Sequence, residues 1–296
     1  MLNEVNRRSS LFLTGFTFSL LLSFHTAVAD WSVPTQGDAI VTASIGEPST
    51  LVPVVASDGP SHDICGLVFS TLVKYDRDIQ LVGDLAERWQ ISNDGLEILF
   101  FLRRGVTWHD GAPFTSADVA FTYEAFGNPE VPTPYRSDFE RIESLEVLDD
   151  YTIRVRYSEA FAPALSGWVH WIMPKHLLEG ENFLTTDFRQ NPIGTGPYRF
   201  HRWIRGDRIE LKANPDYHEG RPYVDWYIYR IIPDQGTIFL ELQAQGLDQA
   251  GLTPLQFERM TDTPHFKKAF HEFRYPSLGY TYLGYNLKDP RFSELR

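Results

Sequence analysis

The chain has 296 residues and a formal net charge of −12 at pH 7; 43% of it is hydrophobic and 14% aromatic. That apolar and aromatic content excludes a disordered chain. An acidic balance without a Lys/Arg block excludes nucleic acid as a partner, because binding it needs a basic footprint.

Taken in order, Met1–Ala29 reads as an export signal and not as part of the fold. Arg7 and Arg8 give a positive start, Leu11–Phe24 is an apolar run broken by small and hydroxylated residues, and Ala27-Val28-Ala29 before Asp30 is a cleavage signature. The run is too short and interrupted to span a membrane well. Residues 6–11 (NRRSSL) match a twin-arginine signal poorly, so general secretion is expected. Cys65 is the single cysteine, which rules out an intramolecular disulfide and a lipid anchor after the apolar run. The expected product is cleaved after Ala29, is not a lipoprotein, and in a Gram-negative host is free in the periplasm.

Asp38–Ser44 is an alternating strand that opens a sheet. Residues 46–53 (GEPSTLVP) form a loop, since two prolines deny it regular structure, and Ser57–Ser61 is a turn. Asp63–Leu72 is expected to be a buried helix, because apolar residues surround it. Leu81–Trp89 feeds a hairpin closed by Asp94-Gly95, where glycine accepts a positive φ. Glu97–Leu102 is a strand, and Trp108-His109-Asp110-Gly111 is a second turn. Thr115, three residues before Asp118, gives a start like a capping box to a helix with Val119, Tyr123 and Phe126 at helical spacing.

Ile142–Leu148 and Thr152–Tyr157 alternate about Asp149-Asp150-Tyr151 as another hairpin. Phe161–Leu178 is irregular or helical, with a stop at Pro174. In residues 191–200 (NPIGTGPYRF) two glycines and two prolines fix a tight loop. Tyr198–Ile204 and Arg208–Leu211 are strands about the Gly206-Asp207 turn, and Tyr223–Ile232 is a strand pair or one long strand. Gln235–Gln245 is a helix ended by Gly246. Phe257–Lys268 is helical in part, and Tyr280–Asn286 is a tyrosine-dense strand. This order of elements is an α/β or α+β mixture.

Three constellations bear on chemistry. His109-Asp110 has the residue types of half a metal or acid–base site, but no second His or Asp lies at helical ligand spacing and no HExxH or CxxC occurs. An Asp-Gly turn explains the pair as architecture. Gly194-Thr195-Gly196 lacks the third glycine of a dinucleotide fingerprint and the Gly-Lys-Ser/Thr of a P-loop, and Pro197 follows where N–H donors would be needed; it reads as a structural turn. Ser57-Asp58-Gly59 with His62 suits a hydrolase, but the GxSxG elbow is absent. Most Trp and Tyr are expected in the core, with a minority on a ligand surface. Residue by residue, two classes stand: an extracytoplasmic binding protein, or a hydrolase whose site is not visible.

Longer motifs decide between them. Residues 84–126 (DLAERWQISNDGLEILFFLRRGVTWHDGAPFTSADVAFTYEAF) resemble the hallmark stretch of the family 5 extracytoplasmic solute-binding proteins, with Trp108 where Phe is usual and Ser116 where Ala is usual. Residues 191–234 (NPIGTGPYRFHRWIRGDRIELKANPDYHEGRPYVDWYIYRIIPD) resemble the family's second motif, with His218 where Trp is common, and residues 282–296 (YLGYNLKDPRFSELR) its third.

The resemblance implies a mixed α/β (α+β) fold of the periplasmic-binding-protein-like type II class, with three subdomains. Domain Ia takes residues 30–64 and 187–272, domain Ib 65–186 is inserted in it, and domain II starts at 273. Relatives continue well past Arg296, so a fragment or truncated gene product is expected, lacking most of domain II, binding ligand poorly and exposing apolar surface. No enzyme is implied. The implied role is the periplasmic substrate-binding subunit of an ABC importer, a monomer without cofactor, metal or nucleic acid, handing di- and oligopeptides to inner-membrane permease subunits. A nickel chelate or oligosaccharide as solute, or a ligand-sensing role in signalling, are the alternatives. The ligand-binding residues expected from relatives are Ala56, Ser57, Asp58 and Gly59, along which an extended peptide adds as a strand, and Tyr280 and Tyr282 on the hinge strand.

Overall fold

The structure is a computed structural model that describes residues 36–274 and 283–292. The export signal, Tyr280 and Tyr282 lie outside the described residues, and residues 283–286 of the expected last strand have no regular structure. In chain order the strands are β1 (Gly37–Ser44), β2 (Val73–Tyr75), β3 (Leu81–Gly83), β4 (Ala86–Ile91), β5 (Glu97–Leu102), β6 (Ile142–Asp149), β7 (Thr152–Tyr157), β8 (Tyr198–Ile204), β9 (Arg208–Ala213) and β10 (Val224–Ile231). The helices are α1 (Gly59–Val68), α2 (Ser116–Gly127), the one-turn α3 (Arg136–Phe139) and α4 (Lys175–Leu178), α5 (Gln235–Gln243) and α6 (Pro264–Ala269).

Two four-stranded sheets divide the sequence unequally. One has the order β1-β10-β9-β8 and joins residues 37–44 to residues 198–231; the other, β4-β5-β7-β6, lies wholly within the intervening segment. β1 runs parallel to β10, Thr42 opposite Tyr229, so the chain makes a long crossover between them. The second sheet is antiparallel throughout. Alternation along β5 and β7 turns Ile98, Phe100, Leu102, Ile153, Val155 and Tyr157 into the core, where each large apolar side chain contributes about 1.5–3 kcal/mol. Their other face is mixed, with Leu99 and Phe101 beside charged residues, and there Arg154 Nη1 donates to Glu146 at 2.8 Å.

The expected capping box of α2 forms. Thr115 accepts from the first helical turn and the Asp118 carboxylate accepts from the Thr115 N–H at 2.9 Å. The same carboxylate also accepts from Lys175 N at 2.9 Å, so one buried acid starts α2 and fixes the entry to α4. Burial dominates its electrostatics and pushes its pKa up, against the hydrogen bonds from Thr115 and Lys175.

Two helices differ from expectation at their ends. α1 starts four residues before Asp63, because the Asp58 carboxylate accepts from Ser61 N at 2.8 Å and Pro60 suits the first turn. It stops at Val68 and does not run on to Leu72: the Val68 carbonyl accepts from Gly196 N at 2.8 Å and the Leu72 carbonyl from Asp84 and Ala86, each at 3.0 Å. α5 ends in a left-handed residue, but this is Gln245 (φ +59°) and not Gly246. Gly246 N then donates to Glu241 O at 2.8 Å, a Schellman closure. β10 is one strand.

Both glycine-rich and histidine motifs set aside above meet in one place. His109 N donates to Gly194 O at 2.8 Å. Its ring accepts at Nδ1 from Gly194 N (3.2 Å) and donates from Nε2 to Gly196 O (3.0 Å). Asn214 Nδ2 donates to the same carbonyl at 3.0 Å. The Gly194–Gly196 turn sits so close to α1 that a Cβ on Gly194 would lie 1.8 Å from Val68 O, and one on Gly196 2.7 Å from it. Burial holds the His109 imidazole neutral, with a pKa lowered to about 4, against the Gly196 hydrogen bond that favours the charged form.

Gly194→Ala is expected to destabilise the fold by roughly 3 kcal/mol or more, because backbone must move to admit the methyl; a thermal melt within a degree of the parent would show the approach is not tight. For His109, the unfolded chain binds the proton below about pH 6.5 while the folded chain refuses it until about 4. Stability is therefore full above pH 6.5, falls as pH drops, and levels off below about 4. That window carries roughly 3 kcal/mol from His109. Urea melts at pH 7 and 4.5 should show a smaller loss in His109→Gln than in the parent; equal losses would remove His109 as the source.

Candidate functional site

The expected ligand segment joins the 46–53 loop to α1. A 3-10 turn over Pro53–Val55 carries the chain into Ala56, which is fully buried. Both Ala56 backbone groups are used inside the fold: N–H donates to Val52 O at 3.1 Å, and the carbonyl accepts from Tyr135 Oη at 2.5 Å. His62 Nε2 stands 3.2 Å from the same carbonyl and 2.5 Å from Tyr135 Oη. Asp58 is also committed. It caps α1 and accepts from Ser49 Oγ at 2.5 Å and Ser61 Oγ at 2.7 Å. Partial burial pushes its carboxyl up, but the Ser49 and Ser61 hydrogen bonds together outweigh this and hold it below the usual range. Ser57 and Gly59 are exposed.

Beside this segment, and reached through His62, lies an open groove of about 400 Å³. α1 lines it with His62, Asp63, Gly66 and Leu67, β1 with Thr42 and Ala43, β10 with Tyr227 and Tyr229, and residues 249–251 close one side. Period-2 alternation puts both tyrosines on one face of β10. Tyr229 Oη donates to Asp63 Oδ2 at 2.9 Å, and Thr42 Oγ1 lies 3.4 Å from Tyr227 Oη. Burial, with the Asp63 charge adding to it, pushes both phenols up, so they stay neutral donors.

The other candidates resolve as framework. His109 is held by the Gly194–Gly196 turn, while Asp110 Oδ2 meets His176 Nε2 at 2.8 Å, so the pair shares no site. Among the described residues His62 bonds no serine: Ser61 Oγ donates to Asp58 and the ring faces Ala56 and Tyr135. A cluster absent from the sequence reading is Asp84, His218 and Glu219, whose ligand-type atoms lie within 4.8 Å of one another. Lys74 already supplies its cation, bonding Glu219 and standing 3.8 Å from Asp84 Oδ1, while His218 Nε2 meets that same oxygen at 2.8 Å. Asp84 also accepts from Thr71 N at 2.9 Å, which makes the cluster a splice between β2, the turn after β3 and the loop before β10. Burial pushes the Asp84 carboxyl up, yet the His218 and Thr71 hydrogen bonds and Lys74 together bring it below the usual range.

Sequence reasoning missed Asp63, Tyr227, Tyr229 and Thr42 as neighbours. The two tyrosines were findable from their spacing in YVDWYIYRII; that α1 would lie across them was not, because β1 and β10 pair over nearly the whole chain.

The sequence profile of the bacterial extracellular solute-binding proteins, family 5, matches residues 80–296. The oligopeptide-binding protein AppA of Bacillus subtilis is 31% identical over 271 residues, which cover 88% of this chain and 48% of AppA. The AppA structure in complex with a nonapeptide superposes with a TM-score of 0.73 at 31% identity, covering 78% of this chain and 47% of AppA. NikZ from Campylobacter jejuni in complex with Ni(L-His) superposes with a TM-score of 0.71 at 34% identity, covering 77% of this chain and 46% of NikZ. The chain thus spans about half the length of the relatives it matches. No helix among the described residues is long and apolar enough to cross a membrane.

Because Lys74 fills the place of a cation, zinc or a chelator should leave the melting temperature unchanged, whereas Lys74→Met should lower stability by roughly 1–3 kcal/mol by leaving two carboxylates without it. A zinc-dependent rise in the parent protein's melting temperature would show that the cluster is a metal site after all.

Proposed function

This chain belongs to family 5 of the bacterial extracellular solute-binding proteins, whose profile covers residues 80–296, and on that premise we propose that it is the peptide-binding component of an ABC importer. Proteins of this family are binding components of transporters, not enzymes. The solute is a di- or oligopeptide, taken up in the periplasm after removal of the export signal, by a monomer that delivers it to permease subunits of the inner membrane. The observation that carries the peptide reading is the likeness to AppA, whose structure holds a nonapeptide.

Domain Ia is the β1-β10-β9-β8 sheet with the first part of α1 and with α5, and domain Ib is residues 65–186, with its first boundary inside α1. The β4-β5-β7-β6 sheet lying wholly within the intervening segment supports that division. The peptide runs past Ser57–Gly59 and over the groove between α1, β1 and β10. With Ala56 buried and both its backbone groups engaged, that residue supports the edge of the site from beneath, and Ser57 and Gly59 offer the exposed backbone.

One observation favours a second solute: NikZ, at 34% identity, is in complex with Ni(L-His). Native mass spectrometry of the purified chain, with calorimetric titration of di- to nonapeptides and of nickel–histidine, separates the two. Weak binding of peptides is expected in the isotherms. Binding of nickel–histidine without any peptide would replace the first reading by the second.

A further inference from the structure

We propose that a second concavity, between α2, the loop after it and the loop after α4, binds a small organic cation: an ammonium group carried on an apolar body. The cavity is about 440 Å³, within the range of roughly 300–1,000 Å³ of small-ligand sites. It shares no lining residue with the groove between α1, β1 and β10, so it stands independently of the peptide reading above. Its base is apolar. Ala125, Val131 and Leu178 are buried there, and the rings of Phe121 and Phe183 meet edge-on with centroids 6.3 Å apart. Leu184 adds an apolar side chain that is 49% exposed.

Its rim is acidic and uncompensated. Glu124 from α2, Glu130 from the loop after it and Glu181 from the loop after α4 are exposed, and their carboxylates have no hydrogen-bond or ion-pair partner among the described residues. No Lys, Arg or His lines the cavity. The cations nearest in sequence are committed elsewhere. Arg136 donates from Nη1 to Gly127 O at 3.0 Å and from Nη2 to Asn128 O and Val131 O at 2.9 and 2.8 Å. Arg189 donates from Nη1 to Leu184 O at 2.6 Å and from Nη2 to Ser49 O at 3.3 Å. Lys175 faces Glu179 at 3.5 Å, and His176 meets Asp110. Both guanidinium groups thus hold the rim loops through backbone carbonyls and leave the carboxylates alone. An ammonium at the rim forms charge-assisted hydrogen bonds to those carboxylates. Its apolar body covers Phe121, Phe183 and Leu184, where an aromatic face also attracts the cation. A divalent metal ion would satisfy only the rim, and a neutral apolar solute only the base.

Three probes take the two requirements apart: phenethylamine, phenethyl alcohol, which keeps the apolar body and drops the charge, and methylammonium, which keeps the charge and drops the body. Each is titrated by ligand-observed NMR at about 0.01 M salt, where screening is weak. The proteins are the parent chain, a variant carrying Glu124→Gln, Glu130→Gln and Glu181→Gln together, and Asp63→Asn. Phenethylamine should bind the parent about tenfold more tightly than either partial probe, and the triple variant should abolish that preference, since each exposed ion pair contributes a factor of roughly 1.5–5. The three glutamates are exposed, so the triple variant should melt with the parent, and Asp63→Asn should bind the amine as the parent does. Raising the salt to about 0.15 M should weaken amine binding to the parent. Equal binding of methylammonium would reduce the site to a general acidic surface, and equal binding of phenethyl alcohol to an apolar one; either overturns the proposal. So does amine binding that survives in the triple variant, or that is lost in Asp63→Asn, which would place the amine beside α1. None of these outcomes bears on the peptide reading, whose test is the titration with peptides.

Discussion

One imidazole, kept neutral, joins the two halves of this fold. His109 belongs to the segment that carries the β4-β5-β7-β6 sheet; Gly194 and Gly196 belong to the turn that leads into β8 of the other sheet. The ring offers one acceptor and one donor to two backbone groups of a single turn, which only the neutral tautomer with its proton on Nε2 can do. The glycines let that turn approach the end of α1 until Gly196 N caps Val68 O. So the end of α1, the turn before β8 and the loop after β5 are set by one set of contacts. The position of α1 in turn decides where His62 and Asp63 lie.

The same splice recurs at a second place with charges instead of a neutral ring. Asp84, His218, Lys74 and Glu219 tie the β2–β3 ribbon to the loop before β10. Here one buried carboxylate is satisfied by a backbone N–H, an imidazole and an ammonium, which is the condition under which a buried charge is tolerable. Across the described chain, carboxylates such as Asp58, Asp84 and Asp118 are spent on helix starts and on joining distant segments. Asp63 differs from them in keeping one oxygen open.

Much of the architecture was legible because it is local. The Thr115–Asp118 capping box, the Asp94-Gly95 hairpin and the pairing of β6 with β7 each need only a few neighbouring residues, and each formed as read, although only β7 alternates in burial. The motifs resembling family 5 were equally legible, and the profile match over residues 80–296 bears them out. What failed was set at long range. The end of α1 was read from its apolar content, but Gly196, far along the chain, takes the Val68 carbonyl and stops it. Likewise, nothing near Ala56 says that Tyr135 will occupy its carbonyl. The groove is the extreme case: its walls come from β1, α1, β10 and residues 249–251, and only the parallel pairing of β1 with β10 brings them together.

That contrast gives a criterion for telling framework from function among residues of the same type. His109, His62 and His218 all stand in motifs that invite a chemical role, and each spends a ring nitrogen on a backbone or side-chain partner that holds two segments together. A polar group whose capacity is used up inside the fold has nothing left for a solute, since a second partner would have to displace the first at the cost of desolvating it. Asp58, though it lies in the expected ligand segment, fails this test because Ser49 and Ser61 occupy it. Asp63 keeps one oxygen open at the groove lined by α1, β1 and β10. Recognition by exposed main chain is indifferent to side chains, so a polar side chain already used inside the fold can border such a segment without restricting what it binds.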